Sequence, residues 1–265
     1  GIIGRISGAY LRIPTLYTPH AYSYLSTEKK FKRNVFKNIE KAFRFFPSKT
    51  LACSQSEFNK TINDLNFHAK NVLVWNNSIE ENIKQEQSET LNSISENFIC
   101  SIGRPSYQKN TELLVEAIFE IKKTVKEIHL VILGVGLYSP IIEKVKKKIK
   151  MYDLEENITL IPWLERAETM AILQKSILYV SSSRYEGLSY SVIEALALSK
   201  PCVVTRVDGN KDLVIDGFNG FLVEEKAKEI AKKIIAILKN KELAHEMSKN
   251  SKKEFVDKYD INLGL

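Results

Sequence analysis

From residue 98 to residue 223 the chain repeats one pattern: a short run rich in β-branched and apolar residues, then a longer amphipathic stretch. The runs are FICSIG (98–103), HLVILG (129–134), ITLIPW (158–163), ILYVSSS (177–183), CVVTRV (202–207) and a short FLV (221–223). Between them lie NTELLVEAIFEIKKTVK, YSPIIEKVKKKIKMYD, RAETMAILQKS and SYSVIEALALSK. In the first of these, Leu113, Leu114, Ala117, Ile118 and Ile121 recur at helical spacing. Strands separated by helices cannot pair as hairpins. They need crossovers, and right-handed crossovers build a parallel sheet covered on both faces. The expectation is α/β, a doubly wound sheet.

The first 75 residues carry a shorter version of the pattern. TLYTPH (15–20), TLACSQ (50–55) and VLVW (72–75) read as strands, and helices are expected over 28–46 and 55–66. Residues 76–95 are polar and read as a connection, and 225–259 reads as two Lys/Glu-rich helices. An apolar fraction of 44% and a charged fraction of 27% exclude a disordered or collagen-like chain. No apolar stretch approaches the roughly 20 residues of a membrane span. Cys53, Cys100 and Cys202 sit in or beside apolar runs without C-x-x-C spacing, which predicts buried thiols in a reducing compartment. The chain opens at Gly1 in what reads as the middle of a helix, so a fragment of a longer protein is expected.

Most of the net charge of +7 is local: residues 28–49 hold eight basic and two acidic residues. Phe31, Val35, Ile39, Ala42 and Phe46 share a stripe of that segment, expected to pack on the first sheet with the cations in water. The alternative use of the segment is contact with an anionic membrane surface.

Candidate chemistry concentrates in SRYEGLSYSVIEALALSKPCVVTRVDGNKDLVIDGFNGFLV (183–223). A strand ends near Ser183, a turn follows, and a helix begins near Ser189 or Tyr190. The N–H groups of Leu188, Ser189 and Tyr190 then open toward an anion, and Gly187 permits close approach of the backbone. Glu186 and Glu194 flank the turn and can each accept hydrogen bonds from a polyol. The plainer reading makes Glu186 a helix cap and Glu194 a surface residue. Upstream, Gly103, Arg104 and Lys109 follow a strand in SIGRPSYQKN, where two cations could neutralise a diphosphate. Gly134 and Gly136 follow the next strand; Ser139 stands where a nicotinamide-binding loop would place its third glycine, so that cofactor is not expected. Trp163, at a strand end, either stacks on a base or packs. His20 ends the strand TLYTPH, where a lone histidine is usually structural. No two aspartates stand at i and i+2, and no zinc-type Cys/His cluster occurs, so no metal site is expected.

The succession E-G-L-S-x-S-V-I-E-A, S-K-P-C-V-V-T, V-D-G-N-K-D-L-V and D-G-F-N-G-F-L-V resembles the donor-site signature of family 4 glycosyltransferases, retaining enzymes of GT-B fold with two Rossmann-like doubly wound domains. The likeness covers nearly all of 98–259. It implies Glu186 and His20 as catalytic residues at the transferred sugar and Glu194 on the nucleotide ribose. It also implies Arg104, Lys109, Gly187, Leu188, Ser189 and Tyr190 on the donor diphosphate, with Gly103, Gly134, Gly136 and Trp163 lining the nucleotide pocket. As domains it implies a partial, N-terminally truncated acceptor-side Rossmann-like domain over 1–78, a linker over 79–95, a donor-binding domain over 96–245 and a C-terminal helix over 246–265 packing back toward the first domain. The function implied is a hexosyltransferase using a UDP- or GDP-sugar as donor substrate, with no cofactor, on a glycan or lipid-linked acceptor in surface polysaccharide or glycoconjugate synthesis. It would work in the cytoplasm or peripherally on the inner membrane face, with no nucleic-acid partner. A nucleotide-sugar epimerase and a non-catalytic nucleotide-sugar binding fragment are the alternatives.

Overall fold

One three-stranded and one six-stranded sheet, both parallel, form in this computed structural model, which describes residues 1–81, 91, 94, 97–136 and 138–264. The expected linker over 79–95 lies, except for residues 79–81, 91 and 94, outside the described residues. The chain divides into two compact units, one of Gly1–Asn77 with Tyr185–Ser189 and Val207–Asp212, the other of the remainder from Ser78 to Leu265.

The first unit runs α1 (Ile2–Leu11), β1 (Thr15–Tyr17), α2 (Lys30–Ala42), a 3₁₀ turn at Phe43–Phe45, β2 (Ser48–Ala52), α3 (Gln55–Asn63) and β3 (Val72–Val74). Its strands pair in parallel in the order β1-β2-β3, with Thr15 opposite Ser48 and Thr50 opposite Val72. Tyr22, Tyr24, Phe43, Ala52, Leu65, Phe67 and Val72 form its buried cluster. An ion pair is buried with them. Arg5 Nη2 donates to Glu40 Oε2 at 2.9 Å, and the guanidinium lies 3.8 Å from the Tyr17 ring centre and 4.0 Å from that of Phe43. Tyr17 Oη donates to the second Glu40 oxygen at 3.3 Å, and burial together with that carboxylate pushes the phenol's pKa up.

The expected packing of the Phe31–Val35–Ile39–Ala42–Phe46 stripe is not what forms. Phe31 is 84% exposed, Val35, Ile39 and Ala42 face solvent, and Phe46 is half-buried. The inward face is instead Phe36, Glu40 and Phe43, one residue or about 100° further round the helix. Arg5 is the reason: Glu40 turns inward to neutralise it, because a buried guanidinium without a carboxylate is costly.

The second unit runs β4 (Ile99–Ile102), α4 (Thr111–Lys122), β5 (Leu130–Val135), α5 (Ile142–Met151), β6 (Ile158–Pro162), α6 (Arg166–Lys175), β7 (Tyr179–Ser181), α7 (Tyr190–Ala197), β8 (Cys202–Thr205), the end of a one-turn α8 (Asn210–Leu213), β9 (Gly220–Val223), α9 (Ala227–Lys239) and α10 (Lys241–Lys258). Each strand falls within the run expected for it or overlaps it. The sheet is parallel throughout, in the order β6-β5-β4-β7-β8-β9. The chain starts in the middle at β4, moves out to β6, and returns to lay β7 on the other side of β4. Ile99, Leu130, Ile132, Val180 and Val203 pack with Leu114, Ile118, Ile121, Val145, Ile230 and Ile234 in one aliphatic core. α10 is fastened by Ser248 Oγ donating to the Ser199 carbonyl at 2.6 Å and Ser251 Oγ to that of Lys200 at 2.9 Å. Cys53, Cys100 and Cys202 are all buried and unbridged. Among the described residues no helix is long and apolar enough to cross a membrane.

Candidate active site

In the second unit the strand order reverses between β4 and β7, and the loops after these two neighbours leave the same sheet edge. Such a switch point opens a crevice at the carboxyl ends of the strands. The loop after β4 holds Gly103, Arg104 and Lys109. The loop after β7 leads through Ser182 and Arg184 toward α7. They are stitched together: Ser182 Oγ donates to the Lys109 and Asn110 carbonyls, both at 3.0 Å, and Arg184 donates through its backbone N–H to the Gln108 carbonyl at 2.8 Å and through Nη1 to that of Tyr107 at 2.7 Å. Gly103 has φ +147°, and the Lys109 stem lies across its α-carbon, so close that a Cβ there would sit 2.9 Å from Lys109 Cε. The glycine therefore lets the lysine cross back over the strand end. Arg104 is exposed and Lys109 half-buried.

Glu194, in the second turn of α7, is largely buried, and its Oε1 accepts from Nε and Nη2 of Arg166, each at 3.2 Å. Burial raises its pKa, and the arginine opposes the rise. Arg166 opens α6; nothing in its own sequence context marks it as the partner of a residue in α7. Trp163 stands just past β6 and is 69% exposed. Gly134 closes the core of β5 against the backbone of Gly103 and Arg104, and Gly136 follows, donating its N–H to Ser139 Oγ at 3.0 Å.

Tyr190 opens α7 and is exposed; the remaining candidates belong to the first unit. His20 follows β1, is exposed, and has φ +48°; Ala21 after it has φ +73°. Two successive left-handed residues, neither a glycine, cost about 1–3 kcal/mol each and persist only where their surroundings hold them. Gly187 packs on this turn: a Cβ there would meet Ala21 N at 2.8 Å, Cys53 Sγ at 2.9 Å and His20 C at 3.0 Å. What the glycine accommodates, then, is the protein's own His20–Ala21 peptide. Glu186, Leu188 and Ser189 beside it are all buried, and Asn77 Nδ2 donates to the Leu188 carbonyl at 2.8 Å. Thus His20 and Gly187 are brought into contact within one unit, and Gly103, Arg104, Lys109 and Gly134 are brought together in the other.

One buried carboxylate in the first unit was not singled out from the sequence. Glu57 caps its own helix in an S-x-x-E pattern with Ser54, whose Oγ accepts from Glu57 N at 3.0 Å. Its two oxygens accept from Ala21 N and Cys53 N, both at 2.8 Å. The Ser54–Glu57 spacing was the readable signal.

Residues 82–254, more than half of the chain, match the family Glycosyl transferases group 1. The chain is 28% identical over 267 residues to an uncharacterised glycosyltransferase of Methanocaldococcus jannaschii, covering 98% of this chain and 68% of that protein. It is 27% identical over 276 residues to the UDP-Gal:alpha-D-GlcNAc-diphosphoundecaprenol alpha-1,3-galactosyltransferase of Escherichia coli, covering 98% and 69%. Against the Anabaena protein Alr3699/HepE, crystallised with UDP and glucose, it superposes with a TM-score of 0.83 at 20% identity, over 99% of this chain and 72% of that one. Its α/β units with parallel sheets are those of the GT-B fold, and the chain belongs to the group 1 family of glycosyl transferases.

Proposed function

We propose that the chain transfers a hexose, with retention, from a UDP- or GDP-sugar to a glycan or lipid-linked acceptor in the synthesis of a surface polysaccharide or glycoconjugate. The observation that carries this reading is the stitched pair of loops at the β4/β7 switch point, which offers Arg104 and Lys109 at the sheet edge from which the chain runs toward the N-terminus of α7. Two cations and the opening amides of an eight-residue helix suit a leaving diphosphate, because positive charge fixed in place needs no rearrangement as the bond to the sugar breaks. In this proposal Arg104, Lys109 and the backbone of Gly187, Leu188, Ser189 and Tyr190 take the diphosphate. Glu194 accepts from the ribose hydroxyls, and Gly103, Gly134, Gly136 and Trp163 border the nucleoside. Glu186 and His20 meet the transferred sugar. The E. coli relative, whose named acceptor is a diphosphoundecaprenol-linked sugar, supports a lipid-linked acceptor.

The same reading places the protein in the cytoplasm against an anionic membrane face. The face of α2 left uncovered carries Phe31, Val35 and Ile39 among Lys29, Lys30, Lys32 and Arg33, and Phe45 in the following turn is 76% exposed. Exposed aromatic groups within a basic segment suit the headgroup region of anionic lipid.

A thermal-shift screen against UDP-, GDP- and ADP-sugars tests the donor. A ligand at about 100 times its Kd stabilises the fold that binds it by about 2.7 kcal/mol. Stabilisation by UDP- or GDP-sugars is expected; no shift with any of the three would remove the reading.

A further inference from the structure

We propose that Glu57 is a positioning residue for His20, holding the His20–Ala21 turn in its left-handed conformation through the Ala21 N–H. The inference rests on the reading of His20 as a residue that meets the donor sugar.

His20 is exposed, so the aim of its ring is set chiefly by the backbone that carries it. That backbone has φ +48° and then +73° at Ala21, a combination these two residues do not favour by themselves. The bond supplying the constraint runs from Ala21 N to Glu57 Oε1 at 2.8 Å, with Oε2 taking Cys53 N at the same distance. In an ordinary S-x-x-E box the glutamate reaches back to the N–H of the capping serine. Here the carboxylate spans instead from the end of β2 to the loop after β1, and the positive end of α3 favours its charge. The rest of the loop is fastened to the same helix. Thr61 Oγ1, which donates to the Glu57 carbonyl at 2.7 Å, lies 2.7 Å from Tyr22 Oη, and Tyr24 Oη donates to Asp64 at 3.3 Å. Glu57, Thr61 and Asp64 fall at i, i+4 and i+7, one stripe of helix gripping residues 21, 22 and 24. Of the three grips, Glu57 holds the residue next to His20. Gly187 packs on the same peptide, where a Cβ would meet Ala21 N at 2.8 Å and His20 C at 3.0 Å.

The test uses the full-length protein with ¹³C-labelled histidine and ¹⁵N backbone. In the parent, the Ala21 amide should be protected from exchange; an Ala21 amide exchanging as fast as an exposed one overturns the proposal, whatever the variants do. Glu57→Gln keeps the shape but can accept from only one of the two N–H groups. It should move the His20 ring signals, and adding Ala21→Gly should return them, since glycine adopts a positive φ unaided. Unmoved His20 signals in a folded Glu57→Gln protein overturn the proposal. With the sugar nucleotide selected by the thermal-shift screen, transfer by Glu57→Gln should fall about tenfold at unchanged UDP affinity, and recover in Glu57→Gln/Ala21→Gly. His20→Ala separates the two claims. If it transfers like the parent, the reading of His20 fails; if it loses transfer while Glu57→Gln transfers like the parent, the positioning role fails.

Discussion

The two units bury different chemistry. The second has a core of isoleucine, leucine and valine spread over a six-stranded sheet and its helices. The first, with three strands, fills its interior with Tyr22, Tyr24, Phe43 and Phe67, and buries the charged Arg5, Glu40 and Glu57 among them. An aliphatic core is non-directional and tolerates volume-conserving exchange. A core that depends on charges is directional, because each buried ion needs its partner in place. The proposed anion-binding loops in the second unit thus rest on a broad packed support, whereas the His20 turn in the first depends on a few particular hydrogen bonds.

The largest effect should come from breaking that dependence. Glu40→Ala leaves Arg5 charged and alone in the interior and should destabilise the first unit by about 3–5 kcal/mol. The joint replacement Arg5→Met/Glu40→Leu should recover most of the loss. In the second unit, Ile132→Val should cost only about 0.5–1.5 kcal/mol. Denaturant unfolding followed separately in the two units checks all three; equal losses for Glu40→Ala and Ile132→Val would erase the contrast.

Next in size is Glu194→Ala, which should weaken UDP binding by about 1.5–3 kcal/mol, roughly tenfold to a hundredfold. Burial also gives this site a pH signature. The folded Glu194 carboxyl holds its proton more tightly than the unfolded one. Its contribution to stability is therefore fully present below the unfolded pKa and is lost as pH rises through the folded pKa. Binding that needs the carboxylate runs the other way: UDP affinity should start to fall at a pH above the ordinary glutamate range. Calorimetric titrations across pH on parent and Glu194→Ala check this, with the acidic fall expected only in the parent.

The smallest effect per residue concerns α2. Each cation near an anionic bilayer contributes about 1 kcal/mol, so reversing Lys29, Lys30, Lys32 and Arg33 to Glu should abolish vesicle binding while UDP binding stays intact. Lys37 is left alone because it lies 3.8 Å from Asp64 and over the Tyr24 ring. Parent and variant sedimenting equally with anionic vesicles would leave the exposed stripe without this role.

The second unit was legible in the sequence because its signal is repetitive: six runs at strand period, the first five separated by four stretches at helical spacing. The parallel sheet and the positions of Arg104 and Lys109 after β4 follow from that alternation. The first unit was legible only as strands and helices. Arg5 sits in GIIGRISG with no sign that it is buried, and Glu40 looks like one more charge on a basic helix; only their proximity across 35 positions turns α2 by a residue. Arg166 and Glu194, 28 positions apart, pair for reasons no local pattern carries. Glu57 was readable in part, since Ser54-Gln55-Ser56-Glu57 announces a helix start, but its reach to Ala21 depends on β1 lying beside β2.

The central claim is that the loop pair at the β4/β7 switch point binds a nucleoside diphosphate through fixed positive charge. Calorimetric titration of the parent and of Arg104→Ala/Lys109→Ala with UDP and with GDP, in buffer containing EDTA, tests it most directly. The account predicts that at least one nucleotide binds the parent under chelation and that the double variant binds it at least tenfold more weakly, a loss of about 1.4 kcal/mol or more. Equal affinity in the two proteins, or binding by the parent that appears only when a divalent metal is restored, would contradict it.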